Sequence, residues 1–167
     1  GQSIERAEAF LNTLPASNQT EFASLRRSIE LERLNLQADL ASQRSDWPQL
    51  ASLLKKIRQL EPDNPWLTYR LATAEIAMGQ PREADKAFSE LLAQQGRNPE
   101  ARYAHGLYLA NENRDSEALA TLGQSPVADW TDNMRELNTR IKRRQLMAQV
   151  EQLRDAGHEP QAIALLL

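Results

Sequence analysis

The chain has 167 residues, of which 41% are apolar and 26% charged, and its net charge is −3. That length supports one domain with a real core, and the charge balance favours neither a nucleic-acid partner nor a disordered acidic tail. The absence of cysteine excludes disulfides and thiolate chemistry. No apolar run reaches the 18 residues of a membrane-spanning helix. The start, GQSIERAEAF, lacks the order of a signal peptide, and we expect an excised piece of a longer protein.

In chain order the sequence predicts helices and almost no strand, because β-branched residues never alternate. Residues 3–14 predict the second helix of a preceding repeat. An extended first helix and a helix hairpin are expected over 16–64, and single hairpins over 65–98 and 99–125. Residues 127–167 predict another extended first helix and the start of a second, truncated helix.

Punctuation and small residues set a 34-residue period in this pattern. Gly79 ends the helix 65–78, since glycine accepts the left-handed conformation, and Pro81 begins the next helix. Ala84 and Ala118 lie 34 residues apart, as do Gly79 and Asn113. A hairpin of this length cannot bury its faces alone, so the repeats are expected to stack into an α-solenoid.

A longer period is superimposed on the shorter one. Residues 16–47 and 127–156 contain no glycine or proline, and they align with each other when the repeat unit is taken as about 112 residues. Either one long helix projects past the stack, its first half lacking a repeat partner, or an extra helix joins through a bend near residues 141–145. Both alternatives predict a joint between repeat clusters over 123–141, with candidate hinge residues Gly123, Pro126, Trp130 and Ile141.

The hairpin pattern resembles the tetratricopeptide repeat (TPR). That family favours small residues where Ala72 and Ala84 fall, an aromatic residue at Phe88 and proline at Pro62. Thr68 departs from the pattern, because the family usually places an aromatic residue there. The resemblance implies an all-α fold: a right-handed TPR-type α-solenoid with extra or elongated helices between repeat clusters.

A narrower resemblance rests on the stretches NPWLTYRLA, ARYAHGLYLA and QLRDAGHEPQAIALL. They are similar to the periplasmic repeat region of the bacterial cellulose synthase C subunit, a family of outer-membrane exporters. The resemblance implies a non-catalytic periplasmic scaffold that links an inner-membrane synthase to an outer-membrane pore. Its expected partners are other envelope proteins of the cellulose synthase complex, and the glucan chain or peptidoglycan in the alternative. Neither nucleic acid nor membrane insertion is expected of this segment.

Catalytic and cofactor chemistry find little support in the residues. His105 and His158 are the only histidines, and neither has the spacing of a metal site or a triad. The carboxylates lie on polar helix faces, with no cleft to frame a glycosidase pair. The six glycines are isolated, so no phosphate loop occurs. We expect no enzyme, no cofactor and no metal.

The concave groove of the repeat family is the remaining candidate site. Family geometry carried over by position places one set of side chains there: Trp66, Tyr69, Thr73, Ile76, Tyr103 and Leu107. Three interpretations stay open: the rings pack against a neighbouring helix, they anchor a peptide or protein, or they stack on sugar rings of a passing glucan. A generic TPR adaptor of another assembly is a further alternative.

Overall fold

A computed structural model gives the fold and describes residues 1–13, 18 and 22–167. Within those residues the secondary structure consists of nine α-helices and one 3₁₀ turn, with no strand. The helices are α1 (Gln2–Asn12), α2 (Ala23–Gln43), α3 (Trp47–Leu60), α4 (Pro65–Ala77), α5 (Pro81–Gln95), α6 (Pro99–Asn111), α7 (Asp115–Gly123), α8 (Asp132–Asp155) and α9 (Glu159–Leu166). The 3₁₀ turn is Val127–Asp129. The all-α expectation is confirmed.

The chain divides into two compact units, Gly1–Glu90 and Leu91–Leu167. In the first unit α3 packs against both α2 and α4. Its core is one cluster of leucine, isoleucine and alanine side chains: Leu34, Ala38, Ala41, Leu50, Ala51, Leu53, Leu54, Ile57, Leu67, Leu71, Ala74 and Ala87. In the second unit α6 packs on α7, and α8 contacts α6, α7 and α9. Each unit thus buries helix faces that no single hairpin could cover.

Asparagine–proline pairs begin the first helices of two hairpins. Asn64 Oδ1 accepts a hydrogen bond from the backbone N–H of Trp66 (3.0 Å), and Asn98 Oδ1 accepts one from Glu100 (3.1 Å). Proline follows each asparagine, at a position where the missing N–H leaves nothing unpaired. The helix starts expected from the prolines are therefore fixed by local hydrogen bonds.

Four helix ends repeat one backbone motif and show the period directly. Ser45, Gly79, Asn113 and Gly157 have positive φ angles of 54°, 72°, 60° and 80°. Successive members are 34, 34 and 44 residues apart. After each, a backbone N–H reaches back five residues to a carbonyl of the last helical turn; Gln80 N–H to Glu75 O is 2.8 Å. This Schellman-type ending places Ala41, Glu75, Leu109 and Leu153 at equivalent positions.

The second long segment forms a single helix, which settles the alternatives left open by the sequence. The 24 residues of α8 run without a break through residues 141–145. Its first half carries the buried residues Met134, Leu137 and Ile141, and α8 contacts both α6 and α7. The expectation that this half lacks a partner was wrong, because those two helices cover it.

The first long segment, α2, buries different positions. Its buried residues Leu34, Ala38 and Ala41 lie in the second half of the helix. Leu25, which aligns with Leu137, is 47% exposed. The predicted helix start at residue 16, and Pro15 before it, lie outside the described residues.

Candidate functional site

The aromatic face of α4 holds four of the predicted groove residues. Trp66 and Tyr69 make an edge-on contact, with ring centroids 5.5 Å apart and ring planes at 68°. Both side chains are only partly buried. Thr73 is exposed one turn further on, and its hydroxyl donates to the carbonyl of Tyr69 at 2.9 Å. Ile76, partly exposed, ends the stripe. The helix therefore presents rings, a hydroxyl and an aliphatic group along one side.

The opposite stripe of α4 explains this orientation. Leu67, Leu71 and Ala72 are buried, as the periodicity predicts. Because these side chains anchor the helix in the core of the first unit, residues on the other stripe are directed outward. The edge contact between the two rings restricts each of them, so that little side-chain entropy remains to be lost when a ligand binds.

The other two predicted groove residues, Tyr103 and Leu107, lie one turn apart on α6 of the second unit. Both are partly buried. Tyr103 and the α4 rings belong to different units, so the continuous row of Trp66, Tyr69 and Tyr103 stays a prediction. The assignment of all six residues to a concave binding groove likewise stays a prediction.

A polar network beside Tyr103 accounts for His105, which the sequence left without a role. Thr121 Oγ1 lies 2.8 Å from His105 Nδ1 and accepts a hydrogen bond from Arg102 Nη1 at 3.2 Å. Arg102 Nε donates to the carbonyl of Gly96 at 2.9 Å. Burial lowers the pKa of the Arg102 guanidinium. The His105 ring also stacks on Tyr108, with centroids 6.5 Å apart. These contacts fasten α6 to α7 and to the end of α5.

The candidate hinge residues occupy different settings within the second unit. Gly123 is the last residue of α7, and Pro126 precedes the 3₁₀ turn. Trp130 Nε1 donates to the carbonyl of Ser125 at 2.9 Å, which closes the turn. Ile141 is buried in the middle of α8. Motion at this segment stays a prediction.

Arg144 links the middle of α8 to the preceding hairpin. Its Nε donates to Asp115 Oδ2 at 3.0 Å, and its Nη2 donates to the carbonyl of Ala110 at 3.2 Å. The hydrogen bond with Asp115 raises the pKa of the Arg144 guanidinium. The long helix is thereby fixed by a charged contact as well as by its buried leucine and isoleucine.

A buried carboxylate in the first unit escaped the sequence argument. Glu75 on α4 is 4% exposed. Desolvation raises the pKa of this carboxyl, while Lys55 and Arg58 act in the opposite direction. Sequence inspection assigned all acidic residues to polar helix faces. The signal that could have found Glu75 is its repeat register, because Ala41, Leu109 and Leu153 are all apolar at that position.

Within the residues that the structure describes, no group of three or more histidine, cysteine, aspartate or glutamate side chains could hold a metal ion. Over the same part of the chain, no helix has the length and apolar character needed to cross a bilayer.

Comparison with known proteins agrees with this geometry. The tetratricopeptide-repeat family matches residues 46–108. Among solved structures, the TPR domain of P58(IPK) superposes with a TM-score of 0.50 at 20% identity, over 98% of this chain and 48% of the other. The chain is a TPR-type α-solenoid.

Curated relatives extend the match over nearly the whole chain. Cellulose synthase operon protein C of Salmonella typhimurium is 38% identical over 165 residues, and that of Escherichia coli K12 is 36% identical over the same length. In both cases the match covers 99% of this chain and 14% of the relative. The protein of the same name from Pseudomonas fluorescens is 34% identical over 127 residues, which is 76% of this chain and 10% of that protein. The resemblance to the cellulose synthase C subunit is confirmed, for a segment about one seventh as long as these relatives.

Proposed function

We propose that this segment is a non-catalytic scaffold of a bacterial cellulose synthesis and export complex. It acts in the periplasm, where it helps to connect the inner-membrane synthase with the outer-membrane pore. The observation that carries the proposal is the match to cellulose synthase operon protein C over 99% of the chain, on a repeat fold. Repeat solenoids bind partners through faces that successive hairpins place side by side.

The aromatic face of α4 supports protein binding as the activity of the scaffold. Trp66 and Tyr69 are partly exposed and mutually oriented, and such rings are the commonest anchors in protein interfaces. Their backbone is held by a well-packed helix, so binding requires little reordering. An extended or helical segment of a partner, lying across the first helices, fits this surface.

Binding to purified proteins of the cellulose synthesis complex tests the proposal. Trp66→Ala and Tyr69→Ala are each expected to weaken binding by about 2 kcal/mol, or roughly 30-fold, the cost typical of an interface anchor. Phe10→Ala is the matched control, because Phe10 is a 64% exposed ring on α1 outside this face. Unchanged binding in both α4 variants, or an equal loss in the control, would contradict the proposal.

A second candidate function is guidance of the glucan chain, which the exposed rings of α4 also favour, since aromatic faces stack on sugar rings. Titration with fluorescent cello-oligosaccharide distinguishes the two functions. Saturable binding that Trp66→Ala and Tyr69→Ala abolish supports guidance. A flat titration alongside intact protein binding leaves the scaffold as the function of this face.

The scaffold proposal includes a joint at residues 123–141. The elongated α8 replaces a normal first helix here, so geometry between successive repeats cannot stay constant across it. Distances between paired spin labels, placed before Gly123 and after Ile141, measure the motion. A broad distance distribution supports a joint, whereas one narrow peak under all conditions contradicts it.

A further inference from the structure

A polar cavity of about 160 Å³ lies among α3, α4 and α5 in the first unit. Six of its lining side chains are charged, and Leu71 and Ala87 supply its only apolar lining. The charged residues are Lys55 and Arg58 from α3, Glu75 from α4, and Glu83, Lys86 and Glu90 from α5. Three cations and three carboxylates give the lining no net charge when all are ionised.

Glu75 is the innermost of these groups. The residue is 4% exposed and lines the cavity. Among the described residues, no hydrogen bond or ion pair reaches its carboxylate. Arg58, by contrast, lies 3.7 Å from Glu90, which offsets part of its charge. The cavity thus contains a buried acceptor without a donor, facing open space.

The fold does not require a carboxylate at this position. The equivalent residues, defined by the shared helix-end hydrogen bond, are Ala41, Leu109 and Leu153. Leu109 is fully buried in the second unit, so a leucine satisfies the same packing. A buried carboxylate without a partner costs stability. Its retention beside a cavity, with a perturbed pKa, is typical of a binding site.

We propose that this cavity binds a small neutral polyhydroxylated molecule, about the size of one sugar ring. Each hydroxyl group both donates and accepts hydrogen bonds. Such a molecule can donate to Glu75 and Glu83 while accepting from Lys55 and Lys86. A charged ligand would instead meet three side chains of its own sign.

The size of the cavity limits the ligand. Its volume is about half the lower bound of pockets for drug-sized ligands, roughly 300 Å³, and equals the share of about five water molecules in the liquid. One pyranose ring, free or at the end of a glycan, fits the volume better than an extended chain. Because the lining offers no aromatic platform, we expect millimolar affinity.

This site is independent of the aromatic face on the same helix. Trp66, Tyr69, Thr73 and Ile76 do not line the cavity. Loss of partner binding by Trp66→Ala would leave the cavity intact, and loss of polyol binding would leave the aromatic face intact. Failure of one proposal is therefore distinguishable from failure of the other.

Nuclear magnetic resonance titration of the ¹⁵N-labelled chain tests the inference. The probes are glucose, cellobiose and glycerol, with glucuronate and glucosamine as charged analogues of the ring. We expect saturable shifts of amides in α3, α4 and α5 with glucose, and weaker responses to both charged analogues. Cellobiose that binds at least as well as glucose indicates a glycan end as the source of the ring, whereas preference for glucose indicates a free sugar.

Two variants of Glu75 make the test specific. Glu75→Leu restores the side chain found at Leu109, and the loss of hydrogen bonds to a charged group is expected to lower affinity roughly 10- to 100-fold. Glu75→Gln keeps the shape and one acceptor, so it retains folding and loses affinity less. Glu136→Gln, an exposed carboxylate on α8, is the control and leaves binding unchanged. The proposal is overturned if no probe produces shifts at about 100 mM, or if both Glu75 variants bind as the original chain does.

Discussion

Leu137 and Leu25 occupy equivalent positions in two long helices, yet their surroundings differ. Leu137 on α8 is 2% exposed, whereas Leu25 on α2 is 47% exposed. Leu137 fills space left by a glycine of α6: a Cβ added at Gly106 would lie 3.4 Å from its Cδ2 atom. The same substitution, leucine to alanine, is therefore expected to have very different effects at the two sites.

The magnitudes follow from burial. Leu137→Ala removes a fully buried side chain and leaves a cavity, which lowers the free energy of unfolding by about 3 kcal/mol. Leu25→Ala removes a side chain that keeps half its contact with water, so about 1 kcal/mol is expected. The predicted difference of about 2 kcal/mol exceeds the error of denaturant extrapolation.

Urea unfolding followed by far-ultraviolet circular dichroism measures both variants against the original chain. Because solenoids need not unfold in one step, amide hydrogen exchange in α6, α7 and α8 serves as the local readout. Leu137→Ala should accelerate exchange there, and Leu25→Ala should not. Equal destabilisation by the two variants would refute the conclusion that the first half of α8 is packed.

Three further predictions concern individual residues of the first unit. Ser45 has a φ of 54°, so Ser45→Gly relieves a left-handed conformation and should raise the urea midpoint, by about 0.5–1 kcal/mol of stability; a lowered midpoint contradicts this. Thr68 Oγ1 is buried with no hydrogen-bond partner among the described residues, and Thr68→Val should stabilise by about 1 kcal/mol in the same assay; a loss would indicate an unseen partner for the hydroxyl. Burial raises the pKa of Glu75, so the native state holds this proton more tightly than the unfolded chain. The free energy of unfolding should fall as pH rises through that raised pKa, and Glu75→Gln should remove this part of the fall when unfolding is measured across pH; an unchanged profile contradicts the assignment.

The repeat period was predictable from the sequence because its punctuation is local. Gly79 and Gly157 stand at helix ends where positive φ favours glycine. Ser45 adopts the same conformation without the same signature, since the fixed spacing of the hairpins imposes it. The covering of α8 could not be predicted, because Leu137 and Leu25 have the same local pattern. Which of them is buried depends on helices distant in sequence.

The candidate binding residues were predictable in part. Periodicity separates the buried stripe of Leu67 and Leu71 from the outward stripe of Trp66 and Tyr69, and the structure places both stripes as expected. Glu75 was not predictable from periodicity, because charged residues are rarely buried. Its significance appears only when the equivalent Leu109 is placed beside it.

The central claim is that this segment binds a protein of the cellulose synthesis complex through the aromatic face of α4. Site-specific photocrosslinking tests it most directly, with the crosslinking amino acid placed at Tyr69 of the full-length protein in cells that make cellulose. The position of Phe10 serves as the control. We predict a crosslinked product with another protein of the complex at Tyr69 and none at Phe10. Crosslinks to glucan alone, or identical products at both positions, would contradict the claim.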